Sequence, residues 1–262
     1  MERRNFISKG ILGLIGLSLA DFATAAVWPV TNKAITNNKN NTCMRMKSFD
    51  VPHKGIRNGL SRLSLLAGKT NYKDIKEIQQ LNELGKEVFL ILNTHAKDEN
   101  DISLKYLEEK MKGASHHDVE EHVRLHVAQA RLEKMLDELL QNPNADKADQ
   151  AGSEFYMLLA DYHADYLQHM SKEERITQQL LWENFSDEEL VAHRSEIMKN
   201  LPPDTLLLWF KYIAPAQSHQ ERLGLFKSFK AGAPALLFNR VKELLAEVLT
   251  EKEYNLLMEE LQ

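Results

Sequence analysis

Apolar residues along most of this chain recur at intervals of three and four, the period of a helix with one buried face. Over 51–67 the stripe is His53, Ile56, Leu60, Leu63 and Ala67, with Gly68 placed to end the helix. Over 72–98 it is Leu81, Leu84, Val88, Leu92, His95 and Glu99, and a shorter continuation closes at Met111, Lys112 and Gly113. A third helix is predicted over 115–140, opened by Ser115 as N-cap with Asp118 three residues on. Its inner face takes in Val119, His122, His126, Leu132, Met135, Leu136 and Leu139 or Leu140. A loop over 141–150, containing Asn142, Pro143 and Asn144, leads to a fourth helix that presents Phe155, Leu158 or Leu159, Tyr162, Tyr166, His169 and Glu173. Four amphipathic helices on short connections imply an all-α fold, an up-down-up-down four-helix bundle over 46–175.

The pattern stays helical over 176–262 but carries no further cluster of polar groups on an apolar face. Ser186 with Glu189 is a capping box that opens a helix running to Asn200, where Pro202 and Pro203 stop it. Leu206, Leu207, Leu208, Trp209 and Phe210 are apolar on every side and call for burial, in a run too short for a membrane span. A helix is expected from Ser218, a turn at Gly232 and Pro234, and a last helix capped by Thr250. These additional helices are expected to form an extension packed on the bundle. No internal repeat is apparent.

The start of the chain differs from the rest. Residues 1–26 read as an export signal: Arg3 and Arg4 precede Phe6, Ile7 and Lys9, an apolar core follows over 11–20, and Ala23-Thr24-Ala25 offers a small-x-small cleavage site. The paired arginines resemble the twin-arginine signal, which directs folded proteins out of the cytoplasm and implies a periplasmic location. An apolar core of about ten residues is too short to remain as a spanning helix, so no stable membrane span is expected once the signal is removed. Residues 27–45, rich in Asn and Thr, read as a disordered linker.

Composition narrows the chemistry. A formal charge of −5 gives no basic surface for nucleic acid, so no nucleic-acid partner is expected. With Cys43 the only cysteine, a thiolate metal cluster is excluded, and the ten histidines are the main supply of soft ligands. Five of them stand on apolar stripes: His53, His95, His122, His126 and His169. Glu99 follows His95 by four residues, His126 follows His122 by four, and Glu173 follows His169 by four. That spacing stacks two side chains about 40° apart on one helix face. Burying them unpaired is unfavourable, and seven such groups exceed what one tetrahedral ion uses. Two ions sharing two carboxylates would use all seven, with three histidines on one ion and two on the other.

The order His, His-x-x-x-Glu, His-x-x-x-His, His-x-x-x-Glu resembles the hemerythrin-like (HHE cation-binding) family. The resemblance implies a cofactor of two iron ions in a non-haem di-iron centre bridged by Glu99 and Glu173. His122, His126 and His169 would hold one iron. His53 and His95 would hold the other, where a position stays open for a small diatomic ligand such as dioxygen. One feature departs from the oxygen-carrying hemerythrins, which place an aspartate five residues after the last histidine: here Glu173 stands at four and Glu174 at five. Two functions follow as expectations. One is a protein that binds dioxygen or a related small ligand at the open position. The other is a di-iron oxidoreductase acting on peroxide, nitric oxide or ferrous iron. The histidine-rich ligand set, unlike paired Glu-x-x-His motifs, favours binding.

Overall fold

The computed structural model describes residues 45–142 and 147–261. The expected export signal, nearly all of the expected linker, Cys43 and the turn proline Pro143 lie outside the described residues. Among those described, the chain is helical with no strand. Helix α1 is Asp50–Lys69. Helix α2 (75–110) consists of Ile75–Asp98, a π-helical turn Glu99–Ser103, and Leu104–Lys110. Helix α3 is His116–Gln141. Helix α4 (148–184) repeats the plan of α2: Ala148–Lys172, a π-helical turn Glu173–Thr177, and Gln178–Asn184. Five shorter helices follow: α5 Asp187–Asn200, α6 Pro203–Ala216, α7 His219–Gly232, α8 Ala235–Val248 and α9 Glu251–Glu260.

The first four helices close a square in which α1 meets α2 and α4, and α3 meets α2 and α4. Partners run antiparallel. The start of α1 meets the far part of α4 at His53 and Glu174, and the end of α1 meets its beginning where Gly68 lies against Tyr156. The core between them is built from the predicted stripes, including Ile56, Leu60, Leu63, Leu81, Val88, Leu132, Leu136, Phe155 and Leu159. Beyond the π turns, α2 and α4 overhang the square and pack on each other through Leu107 and Leu181, with Phe49, Phe185 and Leu190 around them. Helix α5 lies over this end, its His193 stacked on Tyr106.

Several local expectations change. Gly68 sits inside α1, which ends instead at Thr70, extended and bonding Leu66 O through Oγ1 at 2.8 Å. Ser115 precedes α3 but does not cap it, because its hydroxyl donates to Glu108. The expected Ser186 capping box and Thr250 cap are formed, and Ser218, expected only as the start of a helix, closes a capping box with Glu221 as well. In α3 the buried positions are Asp118, Glu121, His122, Leu125, Gln129, Leu132, Leu136 and Leu139. At 100° per residue their mean direction lies about 50° to one side of His122, and His126 lies about 40° to the other. Val119 falls further out, and both residues are exposed. The inward face expected for α3 was therefore rotated too far toward Val119 and His126.

Helix α6 binds the C-terminal part to the bundle. It packs along α1 so closely that a Cβ on Gly55 would come within 2.8 Å of Ile213. Trp209, Tyr212 and Ile213 join the bundle core, while Leu206, Phe210 and Ala214 on its other side belong to a second core with α7, α8 and α9. That two-sided burial is why this helix is apolar all round. No helix among the described residues is long and apolar enough to cross a membrane.

Candidate metal centre

Six of the seven sequence-predicted residues converge at the end of the square, where the π turns begin. His53 comes from α1, His95 and Glu99 from α2, His122 from α3, and His169 and Glu173 from α4. All six are buried. They form two groups that share both carboxylates: His53, His95, Glu99 and Glu173, and then Glu99, His122, His169 and Glu173. Within each group the donor atoms lie within 4.8 Å of one another. Nε2 of His53 stands 3.3 Å from Glu173 Oε2, and Nε2 of His169 stands 3.2 Å from Glu173 Oε1. Nε2 of His95 and of His122 are 3.3 and 3.4 Å from Glu99 Oε2, and His122 Nε2 is 3.5 Å from Glu173 Oε1. The seventh residue, His126, does not join them. It is exposed on α3, one turn beyond His122, at the rim of a cleft.

The close contacts lack hydrogen-bond geometry. Nε2 of His53, His95, His122 and His169, Oε2 of Glu99 and both carboxylate oxygens of Glu173 are all buried without a hydrogen-bond partner. So dense a set of orphaned donors is unfavourable in an apolar core unless a cation sits among them. The separations of 3.2–3.5 Å fall among those between neighbouring ligands held at about 2.0–2.2 Å around one ion, roughly 2.8–3.1 Å in octahedral and 3.3–3.6 Å in tetrahedral coordination. Four imidazoles and two carboxylates suit iron, zinc, copper or nickel.

Electrostatics among the six is strongly unequal. Burial, and then the charge of Glu173, push the Glu99 carboxyl well above its usual range. Burial alone would also raise Glu173, but the imidazoles of His122, His169 and His53 around it hold it well below. Burial and the neighbouring His53 hold His95 well below an ordinary imidazole. Burial would lower His53 and His169 too, yet their carboxylate neighbours outweigh it and raise both.

A second ring of side chains fixes three of the four imidazoles by their other nitrogen. His53 Nδ1 donates to Glu174 Oε1 at 2.9 Å, and Arg57 holds Glu174 with contacts of 2.6 and 3.0 Å. His122 Nδ1 donates to Asn100 Oδ1 at 2.9 Å. His169 Nδ1 lies 3.1 Å from Glu121 Oε2, and Lys172 pairs with the other oxygen of Glu121. Since each acceptor is an oxygen, Nδ1 carries the proton and the lone pair of Nε2 faces the cluster, the tautomer a metal requires. Asn100 and Glu174 each follow a cluster carboxylate by one residue. Their side chains reach the facing helices because the π turn, closed by Leu104 N–H to Glu99 O and by Gln178 N–H to Glu173 O, is wider than an α turn and advances each residue through less angle. In the sequence Glu174 stands out only by its position five residues after His169, next to Glu173. Its place beside Arg57, and the roles of Asn100 and Glu121, were missed, because contacts between helices leave no spacing signal.

A family profile described as the hemerythrin HHE cation-binding domain matches residues 46–181, just over half of the chain. The chain belongs to the hemerythrin HHE cation-binding family. The matched segment spans α1 to α4 up to Leu181 and so contains all six converging residues, while α6, which closes one side of the centre, lies outside it. Comparisons with curated proteins and with solved structures gave no match.

Proposed function

We propose that this protein holds two iron ions in a dinuclear centre and binds dioxygen or a related small ligand there. In this reading His53 and His95 serve one ion, His122 and His169 the other, and Glu99 and Glu173 bridge both. The observation that carries it is the set of buried donors without hydrogen-bond partners in a chain of this family. Bound iron supplies a Lewis acid with an accessible redox couple. The chain supplies the rest. Four imidazoles and two carboxylates would hold the ions, the carboxylates alone offsetting part of their charge, Glu174, Asn100 and Glu121 orient three of the imidazoles, and Phe49 and Trp209 cover His53 and His95. Metal analysis of the purified protein, with optical spectra recorded under dioxygen and after its removal, tests the proposal. Two irons per chain and a reversible spectral change are expected. One ion or none, or a change that cannot be reversed by deoxygenation, contradicts it.

One observation favours the second reading, a di-iron oxidoreductase acting on peroxide, nitric oxide or ferrous iron. With His126 outside the cluster, four imidazoles rather than five face two carboxylates, which raises the share of anionic ligands and stabilises higher oxidation states. Sustained consumption of hydrogen peroxide or nitric oxide by the iron-loaded protein, or sustained oxidation of added ferrous iron, would establish that reading over reversible binding.

A further inference from the structure

We infer that small ligands reach the centre from the His122 side, through the cleft between α2 and α3. This is the side opposite to the one that a centre with three histidines on the His122 ion would leave open. The inference rests on the dinuclear reading above. The His53–His95 side is sealed. His53 is completely buried, with Phe49 stacked on it at 5.3 Å and the Glu174–Arg57 pair behind it. Trp209 of α6 stands edge-on to His95 at 6.4 Å. Helix α6 cannot draw back easily, because Ile213 is seated against Gly55, Asn58 donates to Tyr212 O, and both Lys211 and Tyr212 bond Glu87 on α2.

The other side is open. A cleft of about 430 Å³ runs between α2 and α3 and is lined by Leu92, Ala96, His122, His126, Tyr162 and Tyr166, among others. Its volume exceeds the roughly 30 Å³ share of one water molecule many times over, so it admits diatomic and small triatomic molecules with their solvent. Its deep walls are largely apolar, and its inner polar groups are engaged with one another. Asn100 is bonded to His122, and Gln129 accepts from Tyr162 and donates to Glu133. Lys97 at the rim is paired with Asp101. Such a lining recognises no large charged substrate and lets small neutral or singly charged molecules pass. The cleft lies where the ring of His126 would be if α3 were turned inward. The same rotation that exposes His126 therefore leaves His122 as the cluster histidine that lines the cleft, with the buried His169 in ring contact behind it at 4.7 Å.

Azide, a linear monoanion, is the probe. Its association with the metal-loaded protein is followed by stopped-flow absorbance, and the metal content of every variant is measured alongside. Val123→Trp places a large ring at an exposed position of the cleft wall, where it threatens no core packing, and Ala96→Phe narrows the cleft from α2. Both are expected to keep two ions and to slow azide association at least about tenfold. Trp209→Leu, on the sealed side, is expected to leave the rate within about twofold of wild type. His126→Ala is expected to keep two ions and to bind azide at least as fast. Azide rates that ignore both cleft variants, or a Trp209→Leu protein that binds much faster, overturn this route while leaving the centre intact. Loss of an ion in His126→Ala overturns it as well, since His126 then turns inward and fills the cleft. Wild-type protein that takes up no metal overturns the centre and the route together.

Discussion

Glu173 touches three of the four imidazoles, through oxygens that are completely buried. Replacing it with Ala removes one of the two carboxylates shared by both groups and leaves positive charge in a low-dielectric core. We expect Glu173→Ala to hold neither ion, measured as metal per chain after dialysis. Glu174→Gln should act more mildly. It keeps a hydrogen-bond acceptor for His53 but loses the anionic partner of Arg57, so metal affinity should fall about 10–100-fold with two sites retained, read by competition with a chelator. Away from the centre, Gly152 is held by contact rather than by conformation. A Cβ there would fall 2.2 Å from the ring of Tyr72, which is anchored by its hydroxyl to Ala67 O. Gly152→Ala should destabilise the fold by about 1–3 kcal/mol, seen as a lower urea midpoint.

At the scale of the elements, the two π turns set this bundle apart from a plain one. Each begins at a cluster carboxylate and swings the next residue toward a facing histidine. A π turn amounts to one extra residue accommodated in an α-helix. Deleting Asp101, whose side chain is exposed and among the described residues pairs with Lys97, should let α2 run through as a regular helix. Helical content by circular dichroism is then expected to stay near wild type while metal stoichiometry drops, because Asn100 no longer reaches His122. Full metal loading in that deletion would show that the turn is not needed to position the ligands.

For the molecule as a whole, the matched family segment ends before the helix that closes one wall of its own centre. A chain ending after residue 201 would expose the face of α1 around Gly55 and Gly59 and remove Trp209 from the bundle core. It is expected to aggregate in size-exclusion chromatography. The link between α1 and the C-terminal helices also has a pH signature. Glu221 accepts from Lys54 of α1 at 2.5 Å and from Ser218, and these partners lower its carboxyl from an ordinary 4.5 to about 2. A carboxyl depressed in the folded state contributes stability that is fully present above its unfolded value and is lost as pH falls through its folded value. The difference in urea midpoint between wild type and Glu221→Gln should therefore be constant above pH 4.5 and vanish as pH falls through about 2.

The local features were legible in the sequence because a helix fixes them by itself. Spacings of three and four set the buried stripes. The four-residue step from His95 to Glu99, and from His169 to Glu173, puts both members of each pair on one face wherever the helix is placed. The capping box at Ser186 and the cap at Thr250 are equally local. What only the tertiary structure decided was how each helix is turned about its own axis and what lies across from it. Helix α3 settles on Leu125, Gln129, Leu132 and Leu136, and that choice of about 90° separates His126 from the cluster while keeping His122 within it. The same packing brings Glu174 to His53, Asn100 to His122 and Trp209 to His95. These pairs are 121, 22 and 114 residues apart in the sequence, and nothing in the sequence spacing of either partner specifies the other.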